Sequence, residues 1–361
     1  MPNERTCKWL LITLTVMLTA AVPCRAGVHD GGVGACSHCH IMHADETGTG
    51  GPQYDNPLLI GNNSSDLCLS CHATSFGSVL GRDPLAPPPE MGAGNFVFLL
   101  EDNLNDGADG LIYPISGDSA GHNLNAPGFG LSSDPTYVTS PGGNYPANKM
   151  RCTSCHDPHG NQNYRFLRGP GNQPGPGGYF SFPAPDAEGL DLVVGAPESI
   201  SNHVAYRNGM SLWCANCHYD YVTSNHQVGS GFKHPVNEAL ENDIINRYNI
   251  YNGTMDPSGG NPATAYLAAV PFESATNTTH FKAGPTATSR IICLTCHRAH
   301  ASSAPSSGRW DFNVQTLGQD GVVSGSYPLP NPYPDPDQQP LCYKCHETLD
   351  ATVDKFLEFH N

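Results

Sequence analysis

One pattern constrains this chain before any other. C-x-x-C-H occurs six times, as Cys36/Cys39/His40, Cys68/Cys71/His72, Cys152/Cys155/His156, Cys214/Cys217/His218, Cys293/Cys296/His297 and Cys342/Cys345/His346. Of the 14 cysteines only Cys7 and Cys24, both near the N-terminus, stand outside these pairs. Two thiols at this spacing can add across the vinyl groups of a haem, and the adjacent imidazole can bind its iron. Neither a disulfide framework nor a zinc site requires a histidine after every pair. The pattern therefore implies six covalently bound c-type haems, each with its own proximal histidine.

Composition bears on what can surround them. Only 38% of the 361 residues are hydrophobic, and Gly and Pro number 39 and 32. Such a chain cannot bury enough carbon to offset the entropy of ordering unless something else supplies apolar surface. Covalently held porphyrins would do so. The expected fold is mostly coil and loops, with a few short α-helices and little β, wrapped around the haems. Spacing and periodicity predict one helix over residues 236–248, begun by Pro235 with Val236, Leu240, Ile244 and Tyr248 on a stripe, and a second over 347–359. Residues 102–107 resemble a calcium loop, but Leu104 stands at a ligand position, and they read as a surface loop. Sequons at Asn62, Asn63, Asn252 and Asn277 read as exposed loops.

Residues 1–26 carry a basic start (Arg5, Lys8), an apolar run from Trp9 to Val22 and a small-residue end, the pattern of a secretory signal peptide. Residues 27–361 then form a single hexahaem domain of three haem-pair units, approximately 27–110, 111–230 and 231–361. Export through the periplasm to the cell surface or outside is the expected route. No later stretch is apolar enough for a transmembrane segment. Without Arg5, Lys8, Arg25 and Glu4, the formal charge of −16 becomes −18. Nucleic-acid binding needs a basic face, so that class is excluded, whereas a basic partner or a metal cation is compatible.

The second axial ligand decides whether such haems carry electrons or keep a position open for chemistry. Eleven histidines remain after the proximal six. A further histidine follows three residues after the first, third and fifth motifs, giving His43, His159 and His300, each placed to ligate a haem outside its own motif. The chain also shows a threefold repeat, in which an upstream histidine precedes C-x-x-C-H-x-x-H and a plainer C-x-x-C-H closes the unit. His29, His122, His234 and His280 are the other distal candidates, so seven residues compete for six places. His38 lies inside its own C-x-x-C and cannot easily reach an iron. His203, His226 and His360 read as surface or propionate-contacting residues. In the repeat, the first copy has no earlier haem pair in its own chain, so His43 must look to a preceding subunit.

Several segments, in order, carry a family resemblance. They include His29-x-Gly-Gly-Val33 through Cys36-x-x-Cys39-His40-x-Met42-His43, Gly121-His122-Asn123, and Pro141-Gly-Gly-x-Tyr145-Pro-Ala-Asn148. Further matches are Ser154-Cys155-His156-Asp-Pro-His159-Gly160, Gly209-Met210-Ser211-x-Trp213, His234-Pro235, Pro271-Phe272-Glu273 and Leu341-Cys-x-Lys-Cys-His346. The chain resembles the OmcS-type hexahaem cytochromes, which polymerise into extracellular nanowires. That resemblance implies one continuous chain of haems, subunits joined head to tail, and the His43 counterpart ligating the fifth haem of the neighbouring subunit, here that of His297. Residues 74–120 and 161–203 depart from the family, and the connection between the last two haems is shorter.

The function expected on these grounds is extracellular electron transfer through a filament, by bis-histidine low-spin haems and without an open catalytic haem. Its partners would be further copies of itself, other redox cytochromes, and extracellular metal oxides or partner cells. A monomeric periplasmic or outer-surface shuttle, and a multihaem reductase with one open haem, are the alternatives from other classes.

Overall fold

The computed structural model describes residues 35–40, 59–61, 63–73, 79–81, 83–84, 87–89, 91–100, 117–171, 180–190, 197–223, 227–228, 231–232, 234–253, 259–312, 332–333 and 341–346. The helices among these residues are short: α1 Ser64–His72, α2 Cys152–Cys155, α3 Met210–Cys214, α4 Tyr219–Thr223, α5 Asn242–Ile250 and α6 Cys293–Cys296. Antiparallel strands β1 (Asp186–Glu188) and β2 (Ala205–Asn208) pair with Ala187 opposite Tyr206, and β3 (Gln227–Val228) pairs with β4 (Gly231–Phe232). Most of the remaining backbone is turns, bends and 3-10 segments, as the glycine and proline content leads one to expect.

The C-x-x-C pairs sit on helical turns because thiols three residues apart then share one side of the turn. Asn63 starts α1, its side chain accepting a hydrogen bond from the Asp66 amide at 2.9 Å. In α2 and α6 the third residue folds back, so that Ser154 Oγ accepts from the Arg151 amide at 2.9 Å and Thr295 Oγ1 from the Ile292 amide at 3.1 Å. These interactions stiffen four-residue helices that propensity alone would not hold.

Apolar burial is divided among three clusters, each beside haem-attachment residues. Leu69, Phe96, Val97, Phe98, Leu124 and Leu131 form the first, with Cys152 against it. Tyr248, Tyr266, Phe272, Trp310, Phe312 and Leu341 form the second, touching Cys296, Cys342 and Cys345. The third joins Leu190, Val204, Tyr206, Met210, Ile292 and Leu294, with Trp213 packed on it.

Three expectations need correction here. The helix predicted over 236–248 is found at Asn242–Ile250. Residues 237–240 instead pair with the segment entering the fifth motif: the Asn237 amide donates to Ile291 O, the Leu240 amide donates to Ser289 O, and Asn237 takes φ 66°. Long-range backbone hydrogen bonds thus displaced the first helical turns, and the buried face is Ile245 and Tyr248 rather than the stripe through Val236 and Leu240. Asn63 and Asn277 are not exposed loop residues, because Asn63 is buried where it caps α1 and the buried amide of Asn277 donates to Tyr206 O and Phe272 O. His203 is fully buried and stacks on Tyr266 at 4.0 Å, so it is not on the surface. The segment 347–359, residues 102–107, His29, His43, His226 and His360 lie outside the described residues.

Candidate metal centres

All six proximal histidines and all twelve motif cysteines are described, and each of these cysteines stands as a thiol rather than in a disulfide. Ten of the cysteines are partly covered by the chain. Cys36, Cys71 and His72 are exposed. The reason at Cys71 is the orientation of α1. Ser65 and Leu69 take its buried face, and Cys68 is turned to Cys152. At 3.6 residues per turn, Cys71 stands about 200° around the axis from Leu69, on the outer side. Ser70 Oγ lies 3.9 Å from its sulfur. Within the second motif Cys71 is thus the more exposed of the two cysteines.

Three of the six proximal imidazoles are held in a common way. Nδ1 of His156, His218 and His297 faces the carbonyl oxygens of Arg165 (2.9 Å), Pro141 (2.7 Å) and Ser306 (2.9 Å). A carbonyl can only accept, so Nδ1 carries the proton and Nε2 is left with its lone pair for a metal. His122 has the same arrangement toward Ala299 O at 2.7 Å.

Histidines from distant parts of the chain meet in twos. The rings of His40 and His159 are 6.2 Å apart, His122 and His218 5.9 Å, and His234 and His346 6.1 Å. Two metal–nitrogen bonds of about 2 Å, with about 1 Å from each nitrogen to its ring centre, put the centroids of two imidazoles sharing one ion roughly 6 Å apart. The residues present therefore fit bis-imidazole ligation of an iron between them. Burial favours the neutral, ligating form: His218 is pushed down to about 4 by desolvation and then by His122. His300 is pushed down to about 3, first by burial and then by His156, and stacks on Phe96 at 4.5 Å. Among the described residues its Nδ1 finds no hydrogen-bond partner.

Backbone contacts bring these ligands together. Residues 120–122 pair with 300–302, the His122 amide donating to His300 O at 2.9 Å and the Ser302 amide to Ala120 O at 2.9 Å. Gly121 is needed there, because a Cβ would lie 2.2 Å from His300 O and 2.5 Å from the Ala301 Cα. His280 is placed differently. Its Nδ1 approaches Ser201 O, and its ring lies near His203, a residue outside every motif.

Consecutive motifs also interlock. The Cys68 side chain lies beside that of Cys152, and that of Cys214 beside Cys293. At both junctions a serine three residues before the earlier cysteine receives the amide of the later one: Cys152 N donates to Ser65 Oγ at 3.3 Å and Cys293 N to Ser211 Oγ at 3.2 Å. The second motif thus packs on the third as the fourth packs on the fifth.

A repeated loop that the sequence reading missed follows the third and fifth motifs. Twelve residues after His156 and His297 stand Arg168 and Arg309. Their amides donate to Cys155 O (2.9 Å) and Cys296 O (2.7 Å), and their Nε atoms donate to Thr153 O (2.8 Å) and Leu294 O (2.6 Å), each carbonyl lying between the two cysteines. Two non-glycine residues with positive φ make each loop turn back, Arg165 and Phe166 in one, Ser306 and Ser307 in the other. The first motif keeps the backbone contact, Ile60 N donating to Cys39 O at 3.0 Å, but has Ile60 where the others have arginine. The common His-x11-Arg spacing was the available signal.

Comparison with known proteins agrees with this arrangement. Residues 145–174 match the doubled CXXCH motif family. The chain is 32% identical over 378 residues to the C-type cytochrome OmcS of Geobacter sulfurreducens, covering 84% of this chain and 86% of that protein. Two solved structures from the same organism, the outer membrane cytochrome S filament and the OmcS nanowires seen by cryo-EM, superpose with TM-scores of 0.69 and 0.73. Both are 27% identical and cover 89% of this chain and 100% of theirs.

Proposed function

This chain belongs to the OmcS family of multihaem c-type cytochromes, and on that premise we propose that it carries electrons outside the cell as a head-to-tail filament of hexahaem subunits. When bound, the haems supply the electron-accepting sites, and the protein's part is to ligate, space and shield them. Bis-histidine ligation leaves no iron position for substrate, which is why an electron carrier rather than an enzyme is the favoured reading. His159 serves opposite His40, His122 opposite His218, His234 opposite His346, and His300 opposite His156. His29 is left for His72. His280, the seventh candidate, stands beside His203 and is not a ligand in this reading.

The observation that carries the polymer is the repeated junction. Motifs two and three, and motifs four and five, meet through the same cysteine contact and serine hydrogen bond. A third such junction, between the sixth motif of one subunit and the first of the next, extends the chain through a heterologous contact that does not close. His43 then crosses that junction to ligate the haem held by His297 of the adjoining subunit. Secretion through the periplasm, contact with other redox cytochromes, and delivery to metal oxides or partner cells belong to this reading.

Particle images of the purified holoprotein test it, together with its spin state. Filaments of wholly low-spin haem are expected, and His43→Ala should abolish them or leave a five-coordinate haem. Monomers alone would reject the polymer in favour of a shuttle. A ferrous haem of the wild type that binds carbon monoxide stoichiometrically would instead indicate a reductase.

A further inference from the structure

Beside three proximal histidines the backbone offers its carbonyls in pairs. Arg165 O, Ser306 O and Pro141 O accept from Nδ1 of His156, His297 and His218. The next carbonyl along the chain takes an amide just past the same histidine: Asp157 N donates to Phe166 O at 2.8 Å, Arg298 N to Ser307 O at 2.7 Å and Asp220 N to Gly142 O at 2.8 Å. Two successive carbonyls thus hold the ring and the backbone of one ligand.

The residue carrying the second carbonyl is left-handed at all three sites, with φ of 57° at Phe166, 56° at Ser307 and 63° at Gly142. Arg165 and Ser306 are left-handed as well, at φ 48° and 57°. Glycine takes this conformation freely, whereas Phe, Arg and Ser take it at a cost. Gly308, one residue after its pair, stands at φ −63° and leaves the strain to Ser306 and Ser307. Arg165 and Ser306 are exposed, so burial of their own side chains does not account for it. Such strain persists where the surrounding structure imposes it, and it gathers at functional sites.

We infer that the left-handed pairs Arg165-Phe166 and Ser306-Ser307 are positioning devices for the iron ligand. They aim two carbonyls at one histidine, fixing the plane of its ring and the strength of its Nδ1–H bond. An imidazole that donates through Nδ1 is a more basic ligand at Nε2, and it favours ferric over ferrous iron. Phe166 and Ser307 are positioning residues, acting through the histidine.

Ser307 allows the cleaner test, because its hydroxyl, which donates to Arg298 O at 2.7 Å, can be removed with or without its backbone conformation. Ser307→Gly loses the hydroxyl and keeps the positive φ. Ser307→Pro loses both, since proline is fixed near a φ of about −65°. In mediated redox titration of the holoprotein, Ser307→Pro should raise the reduced-to-oxidised ratio of one of the six haems about tenfold at fixed ambient potential, which is 59 mV for a one-electron couple. The low-spin ferric magnetic resonance of one haem should shift in the same variant as the ring turns. Ser307→Gly should leave both at their wild-type values. An unchanged titration in Ser307→Pro, or an equal change in Ser307→Gly, would overturn the inference. If Ser307→Pro does not retain six haems, Ser307→Val, whose branched side chain disfavours positive φ, decides it by the same two measurements. The inference takes the haem of His297 as low-spin from the reading above. A high-spin haem in the wild type fails that reading alone, because the titration senses the proximal side whichever group stands opposite.

Discussion

His234 and His280 are equally plausible axial ligands by sequence, and the structure separates them sharply enough for one paired experiment. His234 lies 6.1 Å from His346, ring to ring, which is the separation of two imidazoles on one iron. His280 Nδ1 is turned to Ser201 O, beside His203. Removing the His234 ring strips one nitrogen from one of six irons. In His234→Ala, one sixth of the haem should become high-spin in the ferric protein, and the ferrous protein should bind one carbon monoxide per subunit. Added imidazole should restore the low-spin spectrum by refilling the space. His280→Ala should leave all six haems low-spin and cost only its hydrogen bond, roughly 0.5–1.5 kcal/mol in a denaturation midpoint. Magnetic resonance and carbon monoxide titration of the two proteins decide the matter. A wholly low-spin His234→Ala, or a high-spin haem in His280→Ala, would refute the assignment and with it the ring-distance criterion.

Three further outcomes follow from particular contacts. Glu198→Ala removes a buried carboxylate that both Arg298 and Arg309 approach within 3.5 Å, and should cost about 3–5 kcal/mol, measured by chemical denaturation. Gly121→Ala drives a methyl into His300 O, 2.2 Å away, so the segments bearing His122 and His300 must separate; high-spin character at two of the six haems is expected, and an unaltered spectrum would show that the backbone yields elsewhere. Lys344, buried under Tyr248 with its ammonium donating to Tyr251 O at 2.9 Å, is pushed down to about 7 by desolvation from an ordinary 10.5. Between those values the unfolded chain holds one more proton than the folded one, so stability should rise with pH across that window, and Lys344→Met should flatten the rise in denaturant midpoints.

The position of α5 shows how local signals can mislead. Pro235 and the stripe through Leu240 are genuine helix cues, yet the amides of Asn237 and Leu240 are claimed by carbonyls of residues 291 and 289. A strand-like contact with a distant segment satisfies those donors as well as a helical turn would, and it also fixes the approach to the fifth motif. His203 misled for a related reason: nothing near it in the chain announces Tyr266, whose ring covers it at 4.0 Å.

Haem attachment, by contrast, is a local property. Two thiols and an imidazole within five residues need only one helical turn to reach one porphyrin, so Cys36 through His346 could be read directly from the sequence, along with the scarcity of regular structure that 39 glycines and 32 prolines impose. The histidine echo at His43, His159 and His300 also belongs to the sequence, because it recurs at a fixed offset. The meeting of His159 with His40, of His122 with His218 and of His234 with His346 could not be read that way. Those rings are separated by between 96 and 119 residues and are brought to 5.9–6.2 Å only by backbone pairings that depend on the whole chain. The same holds for Arg168 and Arg309, which appear in the sequence as two ordinary arginines and which only the fold buries against the haem-binding turns.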